Sequence, residues 1–270
     1  MKGQSLRSSK VFFFDLDGVL SVGKVRPRYL GGRQIVKRLK ESGKKVFVLT
    51  NDSTHVREDV HRSLADLGFV FDIDEILTSS YLTARYLTQR FGEAGFYVIG
   101  EGGLRRELEA VGHRESDRPD VVVVGLDRQL SYDKLNNGLR FLRAGAGLVG
   151  SYGGTIYMSD RGPAMSAGPI VKALEFASGK RAVLIGKPST RMFQLALRLA
   201  NEEPSRAAMV GDQIETDILG ARRAGIHTIL VLTGTESRER IANSNIKPEV
   251  IIGNVDALGP LLWPHGPSHS

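Results

Sequence analysis

Two carboxylates stand two residues apart at the end of an apolar run: Val11-Phe12-Phe13-Phe14 leads directly into Asp15-Leu16-Asp17-Gly18. Acids at the mouth of a buried strand are costly unless something uses them. Side chains alternate along an extended chain, so Asp15 and Asp17 face one crevice only if the backbone turns between them, and Gly18 permits that turn. A hard divalent cation would neutralise the pair, and Mg²⁺ suits one or two carboxylates completed by water and phosphate oxygens. Three further segments fit the same chemistry. Val48-Leu49-Thr50-Asn51 puts a hydroxyl and a backbone N–H at a strand end, a small cradle for an oxyanion. Helix capping is the plain structural use of Thr50, Asn51 and Ser53. Ala182–Ile185 runs into Gly186-Lys187-Pro188, which presents an ammonium just past a strand. Ala207–Val210 runs into Gly211-Asp212, with Asp217 five residues on at a helix start, where it also suits the helix dipole.

These groups need a scaffold that gathers strand ends. Apolar runs at Val11–Phe14, Lys45–Leu49, Phe96–Ile99, Val121–Val124, Gly147–Gly150, Ala182–Ile185, Ala207–Val210, Thr228–Leu232 and Val250–Ile252 read as strands. Helical patterns lie between them at Gln34–Glu41, Arg57–Leu67, Leu104–Val111, Lys134–Arg143, Thr190–Ala200 and Thr216–Ala224, several stopping at glycine. Strand–helix alternation predicts an α/β fold, a doubly wound parallel sheet with helices on both faces. Ligands bind such sheets at the carboxyl ends of the strands, where each group above stands.

Composition narrows the class. The chain has 270 residues, 41% hydrophobic and 25% charged, which is globular and excludes disorder as the main state. It has no cysteine, which removes disulfides, zinc thiolates, iron–sulfur clusters and thiol nucleophiles. No apolar stretch reaches the length of a membrane helix, and Met1–Lys10 has no secretory h-region, so the cytoplasm is the expected compartment. The +7 net charge comes from 37 basic and 30 acidic residues without a dense basic run. It fits a small anionic substrate better than nucleic acid. Gly100-Glu101-Gly102-Gly103 lacks the last glycine of a dinucleotide turn and reads as a cap turn. His55, His61, His113 and His227 have no ligand spacing and read as structural, and Trp263–Ser270 reads as a frayed tail.

The ordered set Asp15-Leu16-Asp17-Gly18, Thr50-Asn51, Gly186-Lys187 and Gly211-Asp212 through Asp217 resembles the haloacid dehalogenase (HAD) superfamily of phosphohydrolases. Between Asn51 and Lys187 there are 135 residues. One strand–helix step takes about 30, leaving an insertion of about 100. That placement looks like the type-2 cap of the subfamily with p-nitrophenyl-phosphatase-like and N-acetylglucosamine-operon-type phosphatases. Val122–Asp127 followed by Tyr132-Asp133-Lys134-Leu135 is similar to that subfamily's cap signature. The expected division is a Rossmann-like catalytic core over 1–80 and 180–270, with an α/β cap over 81–179.

The resemblance implies a Mg²⁺-dependent phosphomonoester hydrolase working through an aspartyl-phosphate. Asp15 is the implied nucleophile and Asp17 the acid and base. Thr50, Asn51 and Lys187 bind phosphate. Asp15, Asp17 through its carbonyl and Asp212 hold the metal, with Asp217 behind them. A phosphotransferase or mutase would use the same intermediate. A receiver-type signalling module would lack both the second acid and the insertion. A small phosphorylated metabolite is the implied partner, with no nucleic acid or membrane, and a homodimer through the cap stays open. The segment Gly150–Gly162 departs from the family pattern, and its Tyr152, Tyr157, Asp160 and Arg161 are the expected selectors of the leaving group.

Overall fold

The computed structural model describes residues 6–23, 27–159 and 161–264. Asp160 and the end of the expected tail, 265–270, lie outside the described residues. The chain forms two compact units, each with its own parallel sheet. One comprises 1–50, 60–77 and 193–270; the other comprises 51–59 and 78–192.

The first unit carries a six-stranded sheet in the order Val250–Ile252, His227–Val231, Ala207–Gly211, Val11–Phe14, Lys45–Thr50, Ile76–Thr78. Numbered along the chain this is 6-5-4-1-2-3, the doubly wound order that reverses between the first and fourth strands. Those two pair in parallel, Val11 opposite Ala207 through Phe14 opposite Val210. Val11–Phe14 and Ala207–Gly211 are buried throughout, as strands covered on both faces must be. Phe12 and Phe14 enter a core with Ile35, Val36 and Leu39 of the helix Arg33–Glu41. Phe13 points the other way, its ring 5.7 Å from that of Phe47.

The second unit carries a five-stranded sheet, Val183–Leu184, Gly147–Gly150, Val121–Val124, Gly95–Ile99, Arg114–Glu115, and every pair in it is parallel. Ile99, Val122, Val124 and Leu148 build its core against Leu142, Ile170, Val171 and Leu174. The signature residues have a local structural job. Asp127 takes an ion pair from Lys134 at 2.7 Å, and Ser131 caps the helix Tyr132–Arg143 by accepting the Lys134 N–H. Residues Ile156–Ser159 and Gly162–Met165 form a separate antiparallel hairpin.

The sequence-derived strands all recur within a residue or two. The break at 77/78 lies three residues before the expected one at 80/81. The return at 192/193 lies well after 180, because Val183–Leu184 pairs with Val149 and Gly150 of the five-stranded sheet. Two long helices escaped the sequence pattern, Ser79–Phe91 and Ala167–Ser178, as did the short ones Arg238–Asn243 and Leu258–Leu262. The span read as Thr216–Ala224 is a π-helical turn, Ile214–Ile218, followed by a short α-helix, Leu219–Arg223.

Candidate active site

Asp15 and Asp212 stand directly after the two strands that flank the switch point of the six-stranded sheet. The Asp15 N–H continues the ladder to the Val210 carbonyl at 2.9 Å, and one Asp15 oxygen accepts the Leu16 N–H at 2.8 Å. The chain then turns, closed by the Leu20 and Ser21 N–H groups on the Leu16 carbonyl at 3.1 and 3.0 Å, and Asp17 follows around the corner, partly exposed, bridged to Ser21. Asp217 comes back to the same place from the π-helical turn. Its Oδ2 accepts the N–H groups of Asp212 at 3.2 Å and of Gln213, the N-cap of that turn, at 3.0 Å, so it reaches back as the acid of a capping box does and also supports the backbone of Asp212. Asp15, Asp212 and Asp217 each offer an oxygen within 4.8 Å of the others, and all three are buried.

Three carboxylates buried together repel one another unless protonated or joined by a cation. An all-oxygen set of this kind suits a hard ion such as Mg²⁺. The backbone around it is cut to fit. A Cβ on Gly18, whose φ is +82°, would come 2.5 Å from Asp212 Oδ2, and a Cβ on Gly234 would overlap the same carboxylate. The residues present therefore fit a divalent metal.

Sequence reasoning missed the loop Thr233–Glu236, which follows the strand His227–Val231. Thr235 donates its N–H to Asp212 Oδ2 at 3.1 Å, and the Thr233 hydroxyl donates to the Gly18 carbonyl at 2.6 Å. Glu236 is buried and accepts the Ile214 N–H at 3.2 Å. Thr50 ends its strand 3% exposed, also in the first unit.

Asn51 and Lys187 belong to the second unit, where they meet. The Asn51 amide donates to the Lys187 carbonyl at 3.0 Å and accepts the Lys187 N–H at 2.8 Å, and Lys187 is 2% exposed. Ser53 does not cap the next helix. It is buried, and its hydroxyl accepts the Leu126 N–H. Asp52 and His55 pair at 2.8 Å. His113 is structural as expected: buried, with its ring nitrogens bonded at Ala94 N and the Ala84 carbonyl.

The expected selectors in the second unit are partly placed. Tyr152 is largely buried, and its hydroxyl meets Ser166. Burial, and then the Asp52 charge, push its phenol up to about 12, so it stays neutral. Tyr157 and Arg161 lie on the hairpin, half-buried and exposed respectively. Arg128 grips Glu101 through two side-chain nitrogens, at 2.7 and 2.6 Å. Burial alone would raise the Glu101 carboxyl, but the Arg128 hydrogen bonds and charge outweigh it and hold it below its ordinary value.

Comparison with known proteins bears on this geometry. Residues 12–114 match the family model for haloacid dehalogenase-like hydrolases, and 184–258 match a HAD-hydrolase-like model. The chain is 31% identical over 258 residues to the 5′-nucleotidase YutF of Bacillus subtilis, covering 95% of this chain and 100% of that protein. It is 31% identical to the acid sugar phosphatase of Staphylococcus saprophyticus, over 90% of this chain and 94% of that one. The crystal structure of a 4-nitrophenylphosphatase from Thermotoga maritima superposes with a TM-score of 0.89 at 30% identity, covering 96% of this chain and 99% of the other. Among the described residues no helix is long and apolar enough to cross a membrane. The chain belongs to the haloacid dehalogenase-like hydrolases and is a phosphatase of that family, acting on small phosphorylated substrates.

Proposed function

We propose that the protein is a Mg²⁺-dependent phosphomonoesterase that works through a phosphoryl group carried on Asp15. The convergence of Asp15, Asp212 and Asp217 at the switch point carries this reading. Asp15 attacks phosphorus and the ester oxygen leaves, dividing one hard displacement into two. Asp17, two residues on and more exposed, donates the proton to the leaving alkoxide. It then takes a proton from the water that attacks the Asp15 acyl phosphate, which releases inorganic phosphate and restores the carboxylate. Thr50, the Asn51 N–H and Lys187 hold phosphoryl oxygens, an assignment that rests on the order of the motifs along the chain. Asp15, the Asp17 carbonyl and Asp212 would hold the metal, with Asp217 and Thr235 orienting Asp212. The bound ion would supply charge neutralisation, without which a carboxylate cannot approach a phosphate dianion.

The first unit then acts as the catalytic core and the second as the cap. The relatives' names span a nucleotide, sugar phosphates and a nitrophenyl ester. The cap selects among such esters, with Tyr152, Tyr157, Asp160 and Arg161 as its readers. A panel of phosphomonoesters assayed with and without Mg²⁺, together with acid-quenched trapping of labelled phosphoenzyme, tests the reading. Label should appear on the parent and be absent from Asp15→Asn. Turnover undiminished by chelation, or label on Asp15→Asn, would refute it.

A further inference from the structure

The five-stranded sheet has a switch point of its own. Along the chain its strands stand 5-4-3-1-2, so the order reverses between Gly95–Ile99 and Val121–Val124. Such sheets bind ligands in the crevice between the loops leaving those two carboxyl ends. The loops here begin at Gly100 and Gly125, and between them lies a piece of the chain itself. Ser53, 1% exposed, takes the Leu126 N–H at 3.1 Å from one lip. On the other lip, a Cβ on Gly103 would overlap the Thr54 carbonyl and come 2.6 Å from His55 N, so the peptide rests on bare backbone. The Arg57 N–H donates to Glu107 Oε1 at 2.8 Å, and the Ser79 hydroxyl is 2.9 Å from both the Asn51 and Asp52 carbonyls. All of these residues belong to the second unit.

The segment begins at Asn51, whose amide bonds the Lys187 main chain in both directions. Past the strand Val183–Leu184 the main-chain pairing runs on, with the Ile185 N–H on the Gly150 carbonyl at 3.1 Å and the Gly186 N–H on the Ser151 carbonyl at 2.8 Å. At Lys187 the Asn51 amide continues it as a side-chain copy of a strand pairing. Its seat, next after the Gly186–Ser151 bond, holds the main chain from which the lysine side chain starts.

We infer that the ligand of this crevice is the chain's own segment 51–57, and that Asn51, seated by it, is a positioning residue for Lys187. The inference rests on Lys187 being the phosphate-binding cation. Misplacement of such a group by about 1 Å is enough to cost on the order of a hundredfold.

The test compares Asn51→Ala, Gly103→Ala and the milder Ser53→Ala by two readouts: hydrogen exchange at the Lys187 amide, and kcat/KM for nitrophenyl phosphate. Each variant should speed Lys187 exchange. Asn51→Ala should lower kcat/KM by about 10–100-fold in the parent, but less than about threefold in a Lys187→Met background, because residues acting through one group are not additive. Equal factors in the two backgrounds, or Lys187 exchange unchanged in both Gly103→Ala and Ser53→Ala, would overturn the inference. Lys187→Met that leaves kcat/KM and inhibition by inorganic phosphate unchanged would instead remove the reading of Lys187. The exchange measurement needs no turnover, so a very slow background still decides.

Discussion

Two switch points, one in each parallel sheet, hold opposite things. Between Val11–Phe14 and Ala207–Gly211 stand the carboxylates of Asp15, Asp212 and Asp217. Between Gly95–Ile99 and Val121–Val124 stands peptide, with Ser53 against Leu126 and Thr54 against Gly103. The backbone geometry is of one kind, since diverging loops leave a gap at the carboxyl edge in each. The difference lies in what fills it. Carboxylates packed together repel one another in a way that a bound cation relieves, so that crevice is suited to take a cation from solution. A crevice already satisfied by hydrogen bonds to its own chain has little left to offer a ligand, and it serves as a mount instead.

The largest expected effect breaks the reactive crevice. Asp15→Asn should lower kcat by on the order of 10³-fold or more, as loss of a nucleophile does. Activity within tenfold of the parent would show that Asp15 is not the nucleophile. The next effect ranks its members. Asp217→Asn should raise the Mg²⁺ needed for half-maximal activity by about 10–100-fold, the usual cost of losing an outer support, and Asp212→Asn should raise it more. Equal or reversed shifts in a Mg²⁺ titration would refute that ranking.

A smaller effect belongs to the second unit. Tyr157→Ala or Arg161→Ala should reorder a substrate panel by about tenfold, or ~1.4 kcal/mol, while nitrophenyl phosphate moves much less. If all substrates scale together, the hairpin is scaffolding. The smallest effect tests the burial of Tyr152 in the second unit. The folded Tyr152 phenol titrates at about 12, above the ordinary value of 10, so its contribution is whole below pH 10 and is lost as pH rises toward 12. Parent stability relative to Tyr152→Phe should therefore fall by about 1 kcal/mol by pH 10.5. A flat difference in denaturation free energy across that window would contradict the burial argument.

The carboxylate cluster was largely legible in the sequence, because charge placed straight after an apolar run is anomalous at Asp15 and again at Asp212. The mount was not. Ser53, Ser79 and Gly103 are ordinary residue types, and they act through backbone and short hydrogen bonds that leave no pattern in spacing. Thr233–Glu236 stayed hidden for the same reason: it supports Asp212 with a main-chain N–H, which every residue but proline carries. The helix Ala167–Ser178 opens on Ala-Gly-Pro, which reads as a turn, yet proline is tolerated in the first turn of a helix. Which sheet takes Val183–Leu184 depends on a partner more than thirty residues away, so a run of apolar residues could mark the strand but not its address.

The hairpin Ile156–Met165 pairs only with itself, Ile156 against Met165 through Ser159 against Gly162, and shares no ladder with the five-stranded sheet among the described residues. Such a part is exchangeable. Its sequence can drift without disturbing the pairing of either parallel sheet, so on the proposed reading of the hairpin as selector the range of esters accepted is free to change while the carboxylate cluster stays as it is. A hairpin transplanted from a relative with another preference, spliced at Thr155 and Ser166, should carry that preference with it and leave the folding of the host untouched.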